Sequence, residues 1–189
     1  QTPVPTFLAG SNATAVAADE TYSCAVVNGG VQCWGRNTKG QLGNNTTADS
    51  LVPVQAIAAG SAATAVAVRN QHSCAVVNAG VQCWGDNSFG QLGNNSTTQS
   101  RVPVQVIAAG SNVTAVSAGS AHSCAVVSGG VKCWGNNNQG QLGNNSTVQS
   151  LVPVQAIAAG SNVTAVSAGS IHSCAVVSGG VKCWGNNNQ

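Results

Sequence analysis

The chain has 189 residues and a formal net charge of +2, and only 5% of its residues are charged, whereas an ordinary domain has about a quarter. This low charge excludes a basic face for nucleic acid, because binding to phosphates needs clustered lysine and arginine. No apolar run is long enough to cross a bilayer as a helix, and eight cysteines indicate an oxidising compartment.

Similar segments recur every fifty residues along the chain. Residues 161–189 repeat 111–139 with one change, Ile171 in place of Ala121, and the segment at 1–10 recurs at 51–60. A fixed period of this length indicates a solenoid or a propeller. We predict a single repeat domain over 1–189, with units of approximately 1–39, 40–89, 90–139 and 140–189.

Four short strands are predicted in each period, described here for the second one. The Val-Pro-Val segment gives a first strand near 52–57, and its proline indicates an edge position. Three further strands follow near 64–68, 73–77 and 81–84, separated by glycine-containing turns. No stretch has helical periodicity with caps. The predicted fold is therefore all-β, with propeller-type four-stranded blades in part of a ring or in an open superhelical array.

Each period contains a ten-residue segment that begins and ends with cysteine, CAVVNGGVQC in the first. A type I′ turn at Asn28 and Gly29 places Cys24 directly opposite Cys33, at a non-hydrogen-bonded pair within disulfide reach. In the second repeat Ala79 replaces the glycine, which predicts a strained or different turn. The same register predicts four disulfides: Cys24–Cys33, Cys74–Cys83, Cys124–Cys133 and Cys174–Cys183.

A metal site is the alternative use of the cysteines. His72, Cys74 and Cys83 fall on one face of the predicted hairpin, because residues i and i+2 point the same way along a strand. Zinc takes four protein ligands, or three and a water, but no fourth candidate lies nearby in the sequence. The first repeat also has Tyr22 in place of the histidine. The pattern favours disulfides, no metal or cofactor, and structural histidines.

Each repeat also has one tryptophan directly after its second cysteine. Strand alternation turns these side chains away from the disulfides, and as the largest apolar groups they are expected to pack between blades. An aromatic binding platform is the alternative interpretation. The four residues are Trp34, Trp84, Trp134 and Trp184.

Asn-x-Ser/Thr triplets recur at two fixed points of the repeat. A surface with few charges can rely on glycans for solvation, so these asparagines are candidates for N-glycosylation. The alternative is that a chain rich in asparagine and threonine makes such triplets by chance and copies them with the repeat. The candidate sites are Asn12, Asn45, Asn95, Asn112, Asn145 and Asn162.

Five elements that recur in order resemble the regulator of chromosome condensation repeat family. They are the HSCAVV strand, the Gly-Gly-Val turn, Trp-Gly-x-Asn, Gly-Gln-Leu-Gly and Val-Pro-Val. The Cys-x8-Cys-Trp-Gly form is similar to that of secreted bacterial members. The resemblance implies a propeller, usually of seven blades, and functions from nucleotide exchange on a small GTPase to inhibition of β-lactamase. This sequence lacks the acidic loops and basic tail on which the exchange factor relies, so the common implication is a scaffold that presents loops to a protein.

No catalytic constellation is present in the sequence. The only acidic residues are Asp19, Glu20, Asp49 and Asp86, and none recurs with a histidine or serine in a motif. We therefore predict that the protein has no catalytic site and is not an enzyme.

Two functions fit these observations. The preferred one is an extracellular, glycosylated structural protein that assembles with its own copies into fibres or filaments. Near-identical repeats give equivalent interfaces, and low charge removes self-repulsion. The strand at 3–5 would then complement a terminal blade, in the same chain or in a neighbour. The alternative is a secreted binding module that recognises a protein partner through its loops, with Phe89 and Arg69 as candidate contacts.

Overall fold

The computed structural model describes residues 6–186, and these form fifteen antiparallel strands and no helix. The first sheet contains β1 (Ala13–Ala18), β2 (Tyr22–Val27), β3 (Gly30–Gly35) and β4 (Ser50–Ile57). The second contains β5 (Ala63–Arg69), β6 (His72–Val77), β7 (Gly80–Gly85) and β8 (Ser100–Ile107). The third contains β9 (Val113–Ala118), β10 (His122–Val127), β11 (Gly130–Gly135) and β12 (Ser150–Ile157). The fourth has three strands, β13 (Val163–Ala168), β14 (His172–Val177) and β15 (Gly180–Gly185).

The second and third strands of each sheet form the disulfide-bonded hairpin that the sequence predicts. In the first sheet the turn residues Asn28 and Gly29 have φ of 51° and 70°, which is the left-handed pair that a type I′ turn needs. Cys24 lies opposite Cys33 at a Cα distance of 4.0 Å, and a disulfide joins them. The other three hairpins have the same register and the same bond, at 74–83, 124–133 and 174–183.

The Val-Pro-Val strand is the outermost strand of the preceding sheet, and not the first strand of its own unit. In the first sheet Val54 of β4 pairs with Cys33 of β3, and the chain then passes through a short turn into the second sheet. The long loop at 36–49 reverses the direction of the chain after β3. The next strand, β4, therefore runs antiparallel beside β3 and pairs with it. The unit boundaries predicted from sequence fall inside this loop and its equivalents after β7 and β11. Each sheet therefore takes its fourth strand from the start of the next predicted unit. The strand predicted at 3–5 lies outside the described residues.

The apolar core lies between successive sheets. Cys24, Val26 and Val31 of the first sheet pack against Val77 and Trp84 of the second, and equivalent clusters join the second sheet to the third and the third to the fourth. Full burial of one such valine contributes about 1.5–3 kcal/mol. The innermost strands β1, β5, β9 and β13 adjoin in succession. The four sheets are therefore consecutive blades, and the predicted all-β blade architecture is confirmed.

The turn of the second repeat keeps the same shape despite its alanine. Asn78 and Ala79 have φ of 50° and 55°, so the turn is not of a different type and the alanine adopts the left-handed conformation. A methyl group at the matching Gly129 would meet nothing closer than 3.7 Å. The cost of alanine at this position is therefore conformational and not steric.

We expect Ala79→Gly to stabilise the protein by about 0.5–1 kcal/mol, because glycine adopts this φ without the penalty that alanine has. The matched reverse change, Gly129→Ala, should destabilise it by a similar amount. Urea midpoints of the two variants and the parent measure both effects. If the two changes shift the midpoint in the same direction, backbone strain at this turn is the wrong explanation.

Candidate interaction sites

Tryptophan side chains join each blade to the loop of the preceding one. The indole N–H of Trp84 donates to the carbonyl oxygen of Gln41 at 2.8 Å, and Trp134 does the same to Gln91 at 2.9 Å. Both rings are fully buried, so the binding-platform interpretation is wrong for them. Trp34 is half-buried and packs edge-on against Phe7, with ring centroids 5.7 Å apart.

The histidines form buried hydrogen bonds between blades. His72 Nε2 lies 3.0 Å from Ser123 Oγ, and that hydroxyl donates its own proton to the carbonyl of Gln91 at 2.9 Å. The Nε2–H must therefore donate to the serine, which leaves Nδ1 as a buried acceptor without a partner. His122 repeats this arrangement with Ser173 at 2.9 Å.

Burial governs the titration of these groups. It lowers the pKa of His72 to about 4, with Asp86 opposing the shift, and it lowers the pKa of His122 to about 4. Tyr22 occupies the histidine position in the first blade, where burial raises the pKa of its phenol and its hydroxyl donates to the carbonyl of His72. No group of three or more His, Cys, Asp or Glu side chains in 6–186 is placed to hold a metal ion.

We expect the free energy of unfolding to fall as the pH decreases from about 6.5 to about 4. A histidine whose pKa is lower in the folded state contributes fully above its unfolded pKa of about 6.5 and loses that contribution as protons bind. At pH 4 the loss is on the order of 2–3 kcal/mol per ring. Urea unfolding at several pH values between 7 and 4 measures it. His122→Gln should reduce the acid dependence, and an acid dependence that is unchanged in this variant would show that the buried histidine is not its cause.

The terminal blade exposes a surface that is buried in the other three. We call it the cystine face, and it comprises His172, Cys174, Val176, Val181 and Cys183. Val181 is 69% exposed, whereas the three equivalent valines are fully buried, and Cys183 is exposed although the matching cysteines of the other blades are not. This face is the one that packs against the following blade elsewhere in the chain.

The edge of the terminal sheet is also open at β15. In the first sheet a Cβ on Gly30 would lie 2.6 Å from the carbonyl oxygen of Ile57, since the fourth strand closely approaches the glycine. A Cβ on Gly180 would have the carbonyl oxygen of Val177 as its nearest neighbour beyond the adjoining residues, at 3.7 Å. Within residues 6–186, no fourth strand pairs with β15, and a Cβ on Gly180 would meet no strand beside it.

A polar cavity opens where the turns between first and second strands converge. Its volume is about 340 Å³. The guanidinium of Arg69 crosses it to donate to Ser170 Oγ at 3.1 Å, and Asn70 donates to the carbonyl of Ser120 at 3.1 Å. We call it the mouth cavity, and its lining residues are Asp19, Glu20, Thr21, Arg36, Arg69, Asn70, Gln71, Ser120 and Ser170.

The two predicted partner contacts lie in different places. Arg69 lines the mouth cavity, whereas Phe89 does not and is 43% exposed on the loop after β7. Asp19, Glu20 and Arg36 also line the cavity, although the sequence did not indicate a site there. The signal that could have found Asp19 and Glu20 is the variation of the turns between first and second strands, in repeats that are otherwise nearly identical.

The six candidate glycosylation sites are all exposed. Each has φ between 52° and 64°, a conformation in which asparagine is enriched among non-glycine residues. Ala62 replaces the asparagine in the second repeat and has φ of 56°. Backbone conformation therefore provides a reason for the recurring asparagines that is independent of glycans.

Comparisons with known proteins agree with this architecture. Human WBSCR16 superimposes with a TM-score of 0.80 at 23% identity, over 95% of this chain and 50% of that one. Yeast RCC1 (Prp20), solved bound to Kap60, gives 0.78 at 22% identity, over 96% and 45%. The computationally designed Ika4 protein gives 0.55 at 15% identity, over 94% and 93%. The chain thus spans about half the length of the two natural proteins.

No curated protein matches the chain. The family models do: the regulator of chromosome condensation (RCC1) repeat matches residues 28–76, 80–126 and 128–176, and a second model of that repeat matches 113–141. These segments cover more than half of the sequence and contain the hairpin, tryptophan and Gly-Gln-Leu-Gly elements described above. The chain belongs to the regulator of chromosome condensation repeat family.

Proposed function

We propose that the chain is an extracellular, non-catalytic scaffold that assembles with its own copies through the terminal blade. The observation that supports this proposal is the cystine face, which is exposed among residues 6–186 although its equivalents are buried between blades. An RCC1-repeat propeller fold is compatible with protein recognition in general, and yeast RCC1 was solved in complex with Kap60. Self-assembly is the more specific role that the repeat geometry supports here.

The first blade supplies the complement of the cystine face. In the second blade that complement includes Val77 and Trp84, and the first blade has Val27 and Trp34 at the same positions. Phe7, which matches Ile57 in the repeat, packs on Trp34, and Ile57 belongs to the same buried cluster as Trp84. A second copy would offer its first blade and its N-terminal segment to the same surface. Residues 1–7 match 51–57 of β4 in sequence, so this segment could pair with β15 as a fourth strand.

Assembly is measured by the mass of the full chain in light scattering across a range of concentrations. We expect the mass to rise with concentration and Gly180→Ala to prevent this, because a methyl there would block the incoming fourth strand. The thermal stability of that variant should be unchanged, since the site is open. Deletion of residues 1–10 should also abolish assembly and leave the disulfides intact. A monomer at every concentration, or normal assembly of Gly180→Ala, would contradict the proposal.

Secretion and glycosylation are part of this proposal. The four disulfides support an oxidising compartment, and the candidate asparagines are accessible for modification. Mass spectrometry of protein from its native source should find glycans at Asn45, Asn95 and Asn145, or at Asn12, Asn112 and Asn162. Unmodified asparagines throughout would remove glycosylation from the proposal.

A loop-mediated binding module is the second candidate. It is favoured by the concentration of charge at the mouth cavity, which has four of the ten charged side chains of the chain. The lining includes serines but no histidine or cysteine, which supports recognition in place of catalysis. A stable monomer that retains binding by these loops would favour this function over assembly.

A further inference from the structure

The mouth cavity has the size and the chemistry of a site for a small hydrophilic molecule. Its volume of about 340 Å³ lies at the lower end of small-molecule sites, which are about 300–1,000 Å³ and mostly apolar. This lining is instead polar throughout. Recognition there would therefore depend on charge and hydrogen bonds, which favours a charged ligand over an apolar one.

The cavity lining has equal numbers of acidic and basic side chains, and these do not form ion pairs with one another. Asp19 and Glu20 are acidic, and Arg36 and Arg69 are basic. The ion pair found in residues 6–186 is elsewhere, between Lys39 and an aspartate outside the cavity, so the lining charges have no opposite charge within 4.0 Å. A ligand with both signs of charge can satisfy both sets, whereas a simple anion or cation would face like charges.

We propose that the mouth cavity binds a small zwitterion, a molecule with one carboxylate and one ammonium group, such as a short peptide or a free amino acid. Arg69 is the principal carboxylate ligand, because Ser170 holds its guanidinium across the cavity and a guanidinium can donate two parallel N–H groups to a carboxylate. Asp19 and Glu20, on the first blade, accept from the ammonium group. The terminal blade contributes Ser170 to this site, but no residue of the cystine face lines the cavity.

The sequence varies at these turns in a way that creates the site. The four turns read Asp-Glu-Thr, Arg-Asn-Gln, Gly-Ser-Ala and Gly-Ser-Ile at 19–21, 69–71, 119–121 and 169–171. Charge is confined to the first two blades, while the last two contribute small residues that leave space opposite the charges. A cavity formed by copies of the Gly-Ser turn would lose the charges of Asp19, Glu20 and Arg69 and keep only Arg36, which follows β3.

The test is an NMR titration of the ¹⁵N-labelled full chain with glycylglycine at neutral pH. Acetate and ethylammonium serve as controls that carry only one of the two charges. We expect saturable amide shifts at the lining residues with glycylglycine, at least tenfold tighter than with either control and weaker at high salt. Arg69→Gln and Asp19→Asn should each reduce the affinity at least fivefold, whereas Lys182→Gln, an exposed cation outside the cavity, should not.

The outcomes separate three interpretations. Shifts that acetate alone reproduces with equal affinity would overturn zwitterion recognition and leave an anion site on the arginines. No shifts at the lining residues would overturn a small-molecule site altogether, and shifts that appear only with a protein partner would assign the cavity to protein recognition. Unchanged resonances outside the cavity in each variant show that the fold is intact.

Discussion

Loss of the disulfide in the third blade is expected to destabilise the protein by about 4–5 kcal/mol in the Cys124→Ala, Cys133→Ala double variant. The ring that the bond closes restricts the unfolded chain, which contributes about 2.5–3 kcal/mol in the chain-entropy model. Both cysteines are fully buried between blades, so their truncation also leaves a cavity that costs about 1–2 kcal/mol. Urea unfolding without reductant measures the change.

The terminal blade provides a matched control. The bond between Cys174 and Cys183 closes a ring of the same length, a separation of nine residues, but Cys183 is exposed. Its alanine variant should therefore lose the ring contribution of about 2.5–3 kcal/mol with little cavity cost. Equal losses in the two variants would show that interblade packing of the disulfide contributes nothing.

Together the four rings account for on the order of 10 kcal/mol, which is comparable with the net stability of a whole domain at about 5–15 kcal/mol. Reduction of all four should therefore unfold the chain at room temperature. A fully reduced chain that kept its strand content in circular dichroism would contradict this, and would remove the physical reason for placing the protein in an oxidising compartment.

Local patterns predicted the hairpins because all their determinants lie within ten residues. The Asn-Gly turn and the alternation along each strand place Cys24 opposite Cys33 before any tertiary contact is considered. The order of strands was harder to predict, because nothing within the Val-Pro-Val strand shows whether it pairs with the hairpin before it or after it. That choice depends on the 36–49 loop, in which the Asn37 side chain donates to the carbonyls of Thr46 and Ala48 and accepts from the Leu42 N–H.

The mouth cavity was not predicted because its residues are fifty and a hundred positions apart. Arg69 reaches Ser170 only because the blades curve around a common opening, and no sequence window includes both residues. The sequence predicted a structural role for the histidines, but the partners of His72 and His122 are serines of the next blade, which only the contact between blades reveals. The sequence period predicts the repeat, but it does not predict the contacts between one repeat and the next.

Those contacts also determine how cooperatively the chain unfolds. In a repeat protein each unit is stable largely through its neighbours, so one weakened junction can separate the array into two unfolding units. The junction between the second and third blades depends on Trp134, which is fully buried and donates to the carbonyl of Gln91. A methyl group on the adjacent Gly93 would lie 2.6 Å from Cδ1 of this ring, so the loop and the indole are closely packed.

Trp134→Ala is therefore expected to cost about 3–5 kcal/mol and to divide urea unfolding into two transitions. Trp134→Phe should cost less, because it keeps most of the ring, and the Gln91 carbonyl still accepts from Ser123 at 2.9 Å. Trp34→Ala is the matched control, since Trp34 is half-buried and has the Phe7 ring as its neighbour in place of a preceding blade. Circular dichroism and tryptophan fluorescence should give coincident single transitions for that control. A single transition for Trp134→Ala, shifted no further than that of Trp34→Ala, would show that the junction does not transmit cooperativity between the blades.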